Sequence, residues 1–514
     1  MTRTLALVAL TVAARAEQFD VVVYGGTAGG VIAAIAAARE GLSAAIFEPG
    51  YHLGGMTSGG LGHTDHGNKA TIGGYSLEFY RRVGKKYEQP VTWDFEPHVA
   101  EAVLKEMAAE AGVKLFFGWR LREETGVRKW KREIREIYFD TGASAKAKVF
   151  IDASYEGDLM AQSGVTSMIG RESTKQYGES LAGVRPKDRN HQFDFPVPAA
   201  NANGTPFAEI QGGLRGEIGA GDSKVQAYNF RLCLTRDPAN RVAFPRPRGY
   251  DPHRYDLMLA YLAAFEKNKG KAATMANVMG ISELPGGKTD INNRGPFSTD
   301  FIGGSWLYPA ANYETRAQIW QDHMDYTAGL FWFLANDARV PAALRNELQQ
   351  WGLAADEFGD TNHWPHQLYI REARRMTGEF VMTQRDIQTE IEKPDSIGMG
   401  SYNSDSHNVQ RFFQSDGTVQ NEGNMEVPVK PYQIPYRVML PHEKQVANLL
   451  VPVCVSASHV AYSTLRMEPV YMIMGHAAGV AAKLAIADSV AVQKVNAARL
   501  GERLREQKAV TRWP

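Results

Sequence analysis

Two hydrophobic periods alternate along the first 160 residues. Asp20-Val-Val-Val-Tyr24 is a short apolar run closed by Gly25 and Gly26, the pattern of a strand buried on both faces. An Ala-rich helical stretch follows, and Ala44-Ala-Ile-Phe47 is a second apolar run. Helical patterns cover 76–86 and 98–111; residues 113–121, 134–139 and 148–152 read as strands. From about 165 to 430 the pattern changes: Pro, Gly, Asn and aromatic residues crowd together, strands are short, and 314–337 is the longest helical candidate. Residues 448–454 restore a buried strand, and 468–487 form a long apolar helix with Pro469 in its first turn. Its small residues, among them Gly475 and Gly479, allow close approach to a neighbour. The pattern predicts an α/β fold in which both ends of the chain build one parallel-sheet domain around an inserted α+β domain.

The junction of the first strand and helix carries the first chemical signal. Gly25, Thr27 and Gly30 form a glycine turn in which Thr27 replaces the middle glycine of G-x-G-x-x-G. Such a turn brings backbone close to a diphosphate, and the helix N-terminus stabilises its charge. Glu48, eighteen residues past Gly30, closes the second strand, where a carboxylate grips ribose hydroxyls and favours FAD or NAD over NADP. A tight turn that binds nothing is the bland alternative. After Glu48 comes Pro49-Gly-Tyr-His-Leu-Gly54-Gly55-Met56 rather than another nucleotide-binding half. Its glycines offer backbone N–H groups to a large anion, which favours FAD, although a flexible loop has the same composition.

Composition narrows the class. A chain of 514 residues is expected to hold two or three domains. Its 57 Lys and Arg balance 57 Asp and Glu, which argues against nucleic acid or an anionic membrane as partner. No apolar run has the length of a membrane span. Cys233 and Cys454 are the only cysteines, too far apart in sequence to suggest a redox pair or a cysteine-ligated metal. Arg3, the apolar run at 5–14 and Ala14-Arg-Ala16 have the layout of a short secretory signal over 1–16, implying a periplasmic or secreted protein; an unstructured leader is the alternative.

Further blocks extend the pattern: Ile151-Asp-Ala-Ser-Tyr-Glu-Gly-Asp158, Gln226-Ala-Tyr-Asn-Phe-Arg231, Lys288-Thr-Asp-Ile-Asn-Asn293, Tyr369-Ile-Arg-Glu-Ala-Arg-Arg375, Ser401-Tyr-Asn-Ser-Asp-Ser-His407, Ser456-Ala-Ser-His-Val460 and Arg466-Met-Glu-Pro469. With the glycine turn, Glu48 and Gly54-Gly55-Met56, they resemble the bacterial FAD-dependent oxidoreductases with the glutathione-reductase-type FAD-binding fold. The resemblance implies a Rossmann-like FAD domain from 17–165 and 435–490, a substrate domain at 166–434 and a C-terminal tail at 491–514. It implies that Gly25, Thr27, Ala28 and Gly30 lie against the diphosphate of non-covalent FAD, with Glu48 on the ribose. Gly54, Gly55 and Met56 would follow the cofactor towards the flavin. Leu121 would meet the adenine through its backbone, Ala153 would border the cofactor, and Arg466 would face the isoalloxazine. His52 stands where such relatives carry arginine.

Flavin oxidation of a C–H bond needs a base for a neighbouring O–H or N–H proton and a group for developing negative charge. His459 is the first candidate base and His407 the second; each has the alternative of a hydrogen-bonded core histidine. Arg371 and Arg375 would share a helix face and clamp a carboxylate, or pair internally with Glu372. His63 and His66 flank Asp65 without an evident third ligand, so no metal is expected. Trp306, Tyr308, Trp364, Tyr369 and Tyr402 lie among polar residues including Asn292, Asn293 and His366, a composition that suits a polyol or sugar and equally suits ordinary packing. The expected function is hydride transfer from a small polar substrate to FAD, with reoxidation by an acceptor other than a pyridine nucleotide. A non-redox FAD lyase or isomerase and a non-catalytic carbohydrate-binding relic are the alternatives.

Overall fold

The computed structural model describes residues 16–212, 215–389 and 391–513; the signal-like segment, apart from Ala16, lies outside them. A seven-stranded sheet is laid down first. Its strands β1 (Ala16–Tyr24), β2 (Ala44–Glu48), β3 (Lys114–Phe117), β4 (Val127–Trp130), β5 (Glu133–Tyr138) and β6 (Ser144–Asp152) run in the order β3-β2-β1-β6-β5-β4. The β3, β2, β1 and β6 strands pair in parallel, in register Val23 to Ile46 and Val23 to Ile151. Val21, Val22, Val23 and Tyr24, the second half of β1, are sealed from water, as the unbroken run Val21-Val-Val23 requires. Leu449–Leu450 joins β6 in parallel from the far end of the sequence. The rest of 448–454 makes no strand, although Leu449, Leu450, Val451, Val453 and Cys454 are fully buried.

Helix α1 (Ala28–Arg39) packs against the C-terminal helix α4 (Glu468–Asp488). The contact depends on missing side chains: a Cβ at Gly475 would lie 2.0 Å from the Gly29 carbonyl oxygen, and one at Gly479 would lie 2.4 Å from the Ala33 oxygen. Among the described residues α4 alone has the length and hydropathy of a membrane span, but 83% of its apolar window is buried inside the protein. It is a core helix.

The middle of the chain adds a five-stranded antiparallel sheet in the order Met279–Leu284, Lys288–Asn293, Leu232–Thr235, Gly352–Ala354, Arg241–Val242. The same insertion carries the 24-residue helix α2 (Tyr313–Asn336), capped by the Asn312 side chain and packed on the helix Ala342–Leu348. The protein is thus an α/β molecule with a Rossmann-like sheet drawn from both chain ends and an insertion carrying further sheets. Two sequence expectations change. Residues 113–121 are a strand only over Lys114–Phe117, because Gly118 takes a positive φ of 70° and turns the chain. Arg371 lies outside any helix, and Arg375 begins the two-residue strand Arg375–Met376, so the two do not share a helix face.

Candidate active site

The turn after β1 holds itself open by a few polar contacts. Thr27 caps α1: its hydroxyl accepts from Gly30 N–H (3.1 Å) and donates to the Ala153 carbonyl (2.8 Å). Gly25 has φ +97°, and a Cβ there would lie 2.7 Å from Ser154 N. Only glycine allows the turn to pass that close to the end of β6. The Glu48 carboxylate accepts from Gly26 and Gly50 N–H, both at 2.6 Å. Burial pushes its pKa up to about 7 against those hydrogen bonds. Gly54 N–H donates to the Gly26 carbonyl (2.7 Å), tying the double glycine to the turn. Gly55 abuts the Tyr155 ring, and Met56 N–H donates to the Tyr155 hydroxyl (2.8 Å).

These segments floor a cavity of about 560 Å³ that Gly25, Thr27, Glu48, Gly55, Ser154 and Tyr155 help to line. Tyr308, Tyr313, Arg316 and Trp320, in and just before α2, line it too. Both ring nitrogens of His366, on its wall, lack a protein hydrogen-bond partner. Burial lowers the His366 pKa to about 3, leaving a neutral imidazole face to face with His52, centroids 3.9 Å apart. A glycine cradle, a helix N-terminus and unmatched polar atoms fit a dinucleotide. His52 contacts Glu101 (3.3 Å) and Asp360 (3.1 Å).

Other expected cofactor neighbours stand as follows. Ala28 and Ala153 are fully buried beside the turn. Leu121 points into a separate core cluster, its N–H donating to Tyr24 Oη and its carbonyl accepting from Tyr313 Oη. Both backbone polar groups of Leu121 therefore have protein partners. Arg466 donates to the Asp405 backbone carbonyl (2.8 Å) and lies 3.2 Å from its carboxylate. The first turn of α4 instead presents Glu468, which accepts from Tyr155 (2.7 Å) and Thr57 (2.8 Å). Burial raises the Glu468 pKa to about 7. The double-glycine segment and α4 therefore meet through this carboxyl group.

Two residues before Glu468, Arg466 reaches a dense polar cluster in the insertion. His407 Nδ1–H donates to Asp300 (2.6 Å). Burial would raise the Asp300 pKa, but Arg371 and His407 outweigh it and hold it at about 2, so the carboxylate is ionised and fixes this tautomer. His407 Nε2 makes no hydrogen bond among the described residues; Asp405 Oδ1 lies 3.9 Å away. His459, the first residue of the short helix α3 (His459–Leu465), donates through Nδ1–H to Glu372 (2.8 Å) and accepts from Ser406 Oγ at Nε2 (3.2 Å). Burial opposes ionisation of Glu372, but His459 and Gln226, which donate hydrogen bonds to it, and the charge of Arg375 keep its pKa below the ordinary range. Gln226 joins the two halves, donating to Glu372 (3.1 Å) and accepting from His407 N–H (3.0 Å). His191 stacks on His407 at 5.5 Å, and burial lowers its pKa to about 4.

The structure therefore brings His459, His407 and Arg371 together, with Asp300, Gln226 and Ser406 as partners that spacing alone did not reveal. The aromatic residues do not form one platform: Tyr308 lines the cofactor cavity, Trp364 packs on Phe230, Tyr369 lies between Arg231 and Arg371, and Tyr402 donates to Asp65. His63 pairs with Asp94 and His66 with its neighbouring Gly67 carbonyl, so the two do not converge. The one trio with metal-ligand spacing among the described residues is Glu96, His98 and Glu357. The Lys288 ammonium lies 2.7 Å from Glu96, Asp356 and Glu357 and supplies the positive charge there.

The family model "FAD dependent oxidoreductase" matches residues 20–504. No curated protein matches significantly. Solved structures give partial likenesses. Anhydrotetracycline hydroxylase OxyS from Streptomyces rimosus has 13% identity over 33% of this chain and 41% of that chain, with TM-score 0.22. T. acidophilum thioredoxin reductase has 22% identity over 26% and 35%, with TM-score 0.18. L-Amino acid deaminase from Proteus vulgaris has 17% identity over 31% and 54%, with TM-score 0.22. Each match spans less than two thirds of the other chain. The match over almost the whole sequence, on a fold whose glycine cradle fits the cofactor, makes this chain a member of the FAD-dependent oxidoreductase family, with FAD as its cofactor.

Proposed function

We propose that this oxidoreductase removes a hydride from a C–H bond of a small polar organic substrate, while His407 takes the proton of the adjoining O–H or N–H. Bound in the glycine cradle, FAD supplies the two-electron acceptor. Gly25, Thr27, Gly30 and Glu48 would hold its dinucleotide part, with Gly54, Gly55 and Met56 leading from it towards the polar cluster.

The observation that carries the reading is the 2.6 Å contact between Asp300 and His407 Nδ1 beside a free Nε2. The ionised carboxylate holds the ring in one tautomer, leaves the lone pair on Nε2 and stabilises the imidazolium formed by proton uptake. His459, the first choice from sequence, already accepts a proton donor at Nε2 from Ser406. It serves better as the anchor that positions Glu372 and Gln226. Reoxidation falls to an acceptor other than a pyridine nucleotide, since one dinucleotide motif is present in the sequence.

Anaerobic mixing of the FAD-loaded protein with panels of hydroxy and amino compounds tests this reading. Substrate-dependent loss of the yellow flavin absorbance is expected. Turnover that leaves the flavin oxidised under anaerobic conditions would instead identify a non-redox lyase or isomerase.

A further inference from the structure

We propose that the substrate carries a carboxylate, gripped by the Nε–Nη2 edge of the Arg371 guanidinium, which lacks a protein hydrogen bond; this rests on the active-site reading above. Arg371 is 1% exposed, yet only one part of its fork is matched. Nη1 donates to the Ala227 carbonyl (2.5 Å). Nη2 lies 2.9 Å from Asp300 Oδ1 but out of line for a hydrogen bond, and Nε has no hydrogen-bond acceptor. The Nε–Nη2 edge is one on which an arginine meets a carboxylate with two parallel N–H donors.

The same chain shows that edge satisfied elsewhere. Arg231 places Nε and Nη2 on the two oxygens of Asp290, at 2.8 and 2.6 Å. Arg171 does the same with Asp222, at 3.1 and 2.6 Å. Arg375, as deeply buried as Arg371, has both Nη groups matched, by Glu172 and the Gly170 carbonyl, while its Nε lies 2.8 Å from Glu372 Oε1 and is likewise out of line for a hydrogen bond. Arg371 must instead share Asp300 with His407. Arg466 is committed to Asp405. Burial pulls the Arg371 pKa down, and the Asp300 charge does not fully offset it. Unmatched buried donors on a guanidinium are costly unless a ligand completes them.

Unmatched acceptors lie close by. Asn408 Oδ1 and Asn229 Oδ1 are buried without a donor. The Asn408 carbonyl accepts from Ala227 N–H (3.0 Å), and Asn229 is two residues past Ala227. Arg371 Nη2 and His407 Nδ1 face the two oxygens of Asp300, so one carboxylate joins the guanidinium to the imidazole of the proposed base. On this reading the substrate is a small acid whose hydroxyl or amino group sits on the carbon next to the carboxylate.

The test uses the FAD-loaded protein and unreactive probes: acetate and benzoate, their uncharged counterparts acetamide and benzamide, and inorganic sulfate. Dissociation constants are read from the change in flavin absorption and from thermal shift. The carboxylates are expected to bind at least about tenfold more tightly than the amides. Arg371→Lys, which keeps the charge and loses the fork, is expected to weaken carboxylate binding by about tenfold or more while leaving the amides unchanged. Equal binding of acids and amides, or carboxylate binding unaffected by Arg371→Lys, would overturn the proposal. Sulfate as tight as benzoate would overturn the carboxylate class in favour of a general anion site. If the variant fails to retain FAD, the acid-to-amide ratio in the unmodified protein decides. Flavin that bleaches with a substrate while acids and amides bind equally separates failure here from failure of the redox reading.

Discussion

His407 and His459 are both buried, both paired to a carboxylate, and differ in what their second nitrogen meets. The His407 Nε2 lone pair is open, so His407→Ala is expected to slow anaerobic flavin reduction by about 10²–10⁴-fold while FAD content stays unchanged. Asp300→Asn removes the charge that fixes the tautomer and is expected to slow the same step, as rapid-mixing absorbance would record. Glu48 and Glu468 give a second prediction at this scale. Both have folded-state pKa values of about 7, above the ordinary 4.5, because burial penalises the anion. The folded protein therefore holds these protons longer than the unfolded chain, and FAD-free protein loses stability as pH rises from about 4.5 to 7. Urea midpoints at pH 5 and 8 check the sign, and Glu468→Gln should flatten the slope.

Among the elements, the contact of α1 with α4 matters most to the site, because α1 presents the glycine turn and α4 begins at Glu468. Gly475→Ala would drive a methyl group into the Gly29 backbone. Backbone cannot swing aside as a side chain can, so a loss of about 1–3 kcal/mol or more is expected from chemical denaturation, with weaker FAD retention. The signals for these two helices were plain in sequence: small residues on 468–487 and Pro469 at its start. The 371–375 segment was not plain. Its Arg spacing suggests a helix, but buried partners decide otherwise: Arg371 turns to Ala227, Arg374 to Asp158 and Arg375 to Glu172. Long-range ion pairs override a local period when the side chains concerned are buried. Lys288 illustrates the same rule among Glu96, Asp356 and Glu357. Dialysis against a chelator is expected to leave the melting temperature unchanged, because the Lys288 ammonium already supplies a cation to that cluster.

In the whole molecule, a sheet made from both chain ends and an insertion that lines the same cavity make folding and cofactor binding one problem. Ligand that binds only the folded state stabilises it by mass action, so FAD at a hundred times its Kd should add about 2.7 kcal/mol and raise the melting temperature accordingly. A melting temperature indifferent to FAD would remove the glycine cradle as its site. The sequence alone determined the cofactor half: an apolar run, a glycine turn, a helix and Glu48 lie within thirty residues, and local backbone sterics and charge dictate their geometry. Its catalytic candidates, His459, His407 and Arg371, were legible as residue types, but the sequence order, with His459 ahead of His407, is reversed in the proposed mechanism. Their ranking depends on Asp300, Gln226 and Ser406, which stand 107, 181 and 53 residues from the histidines they touch. Hydrogen bonds made across such separations leave no period or spacing in the chain, and only tertiary packing determined which imidazole nitrogen and which guanidinium edge stayed free.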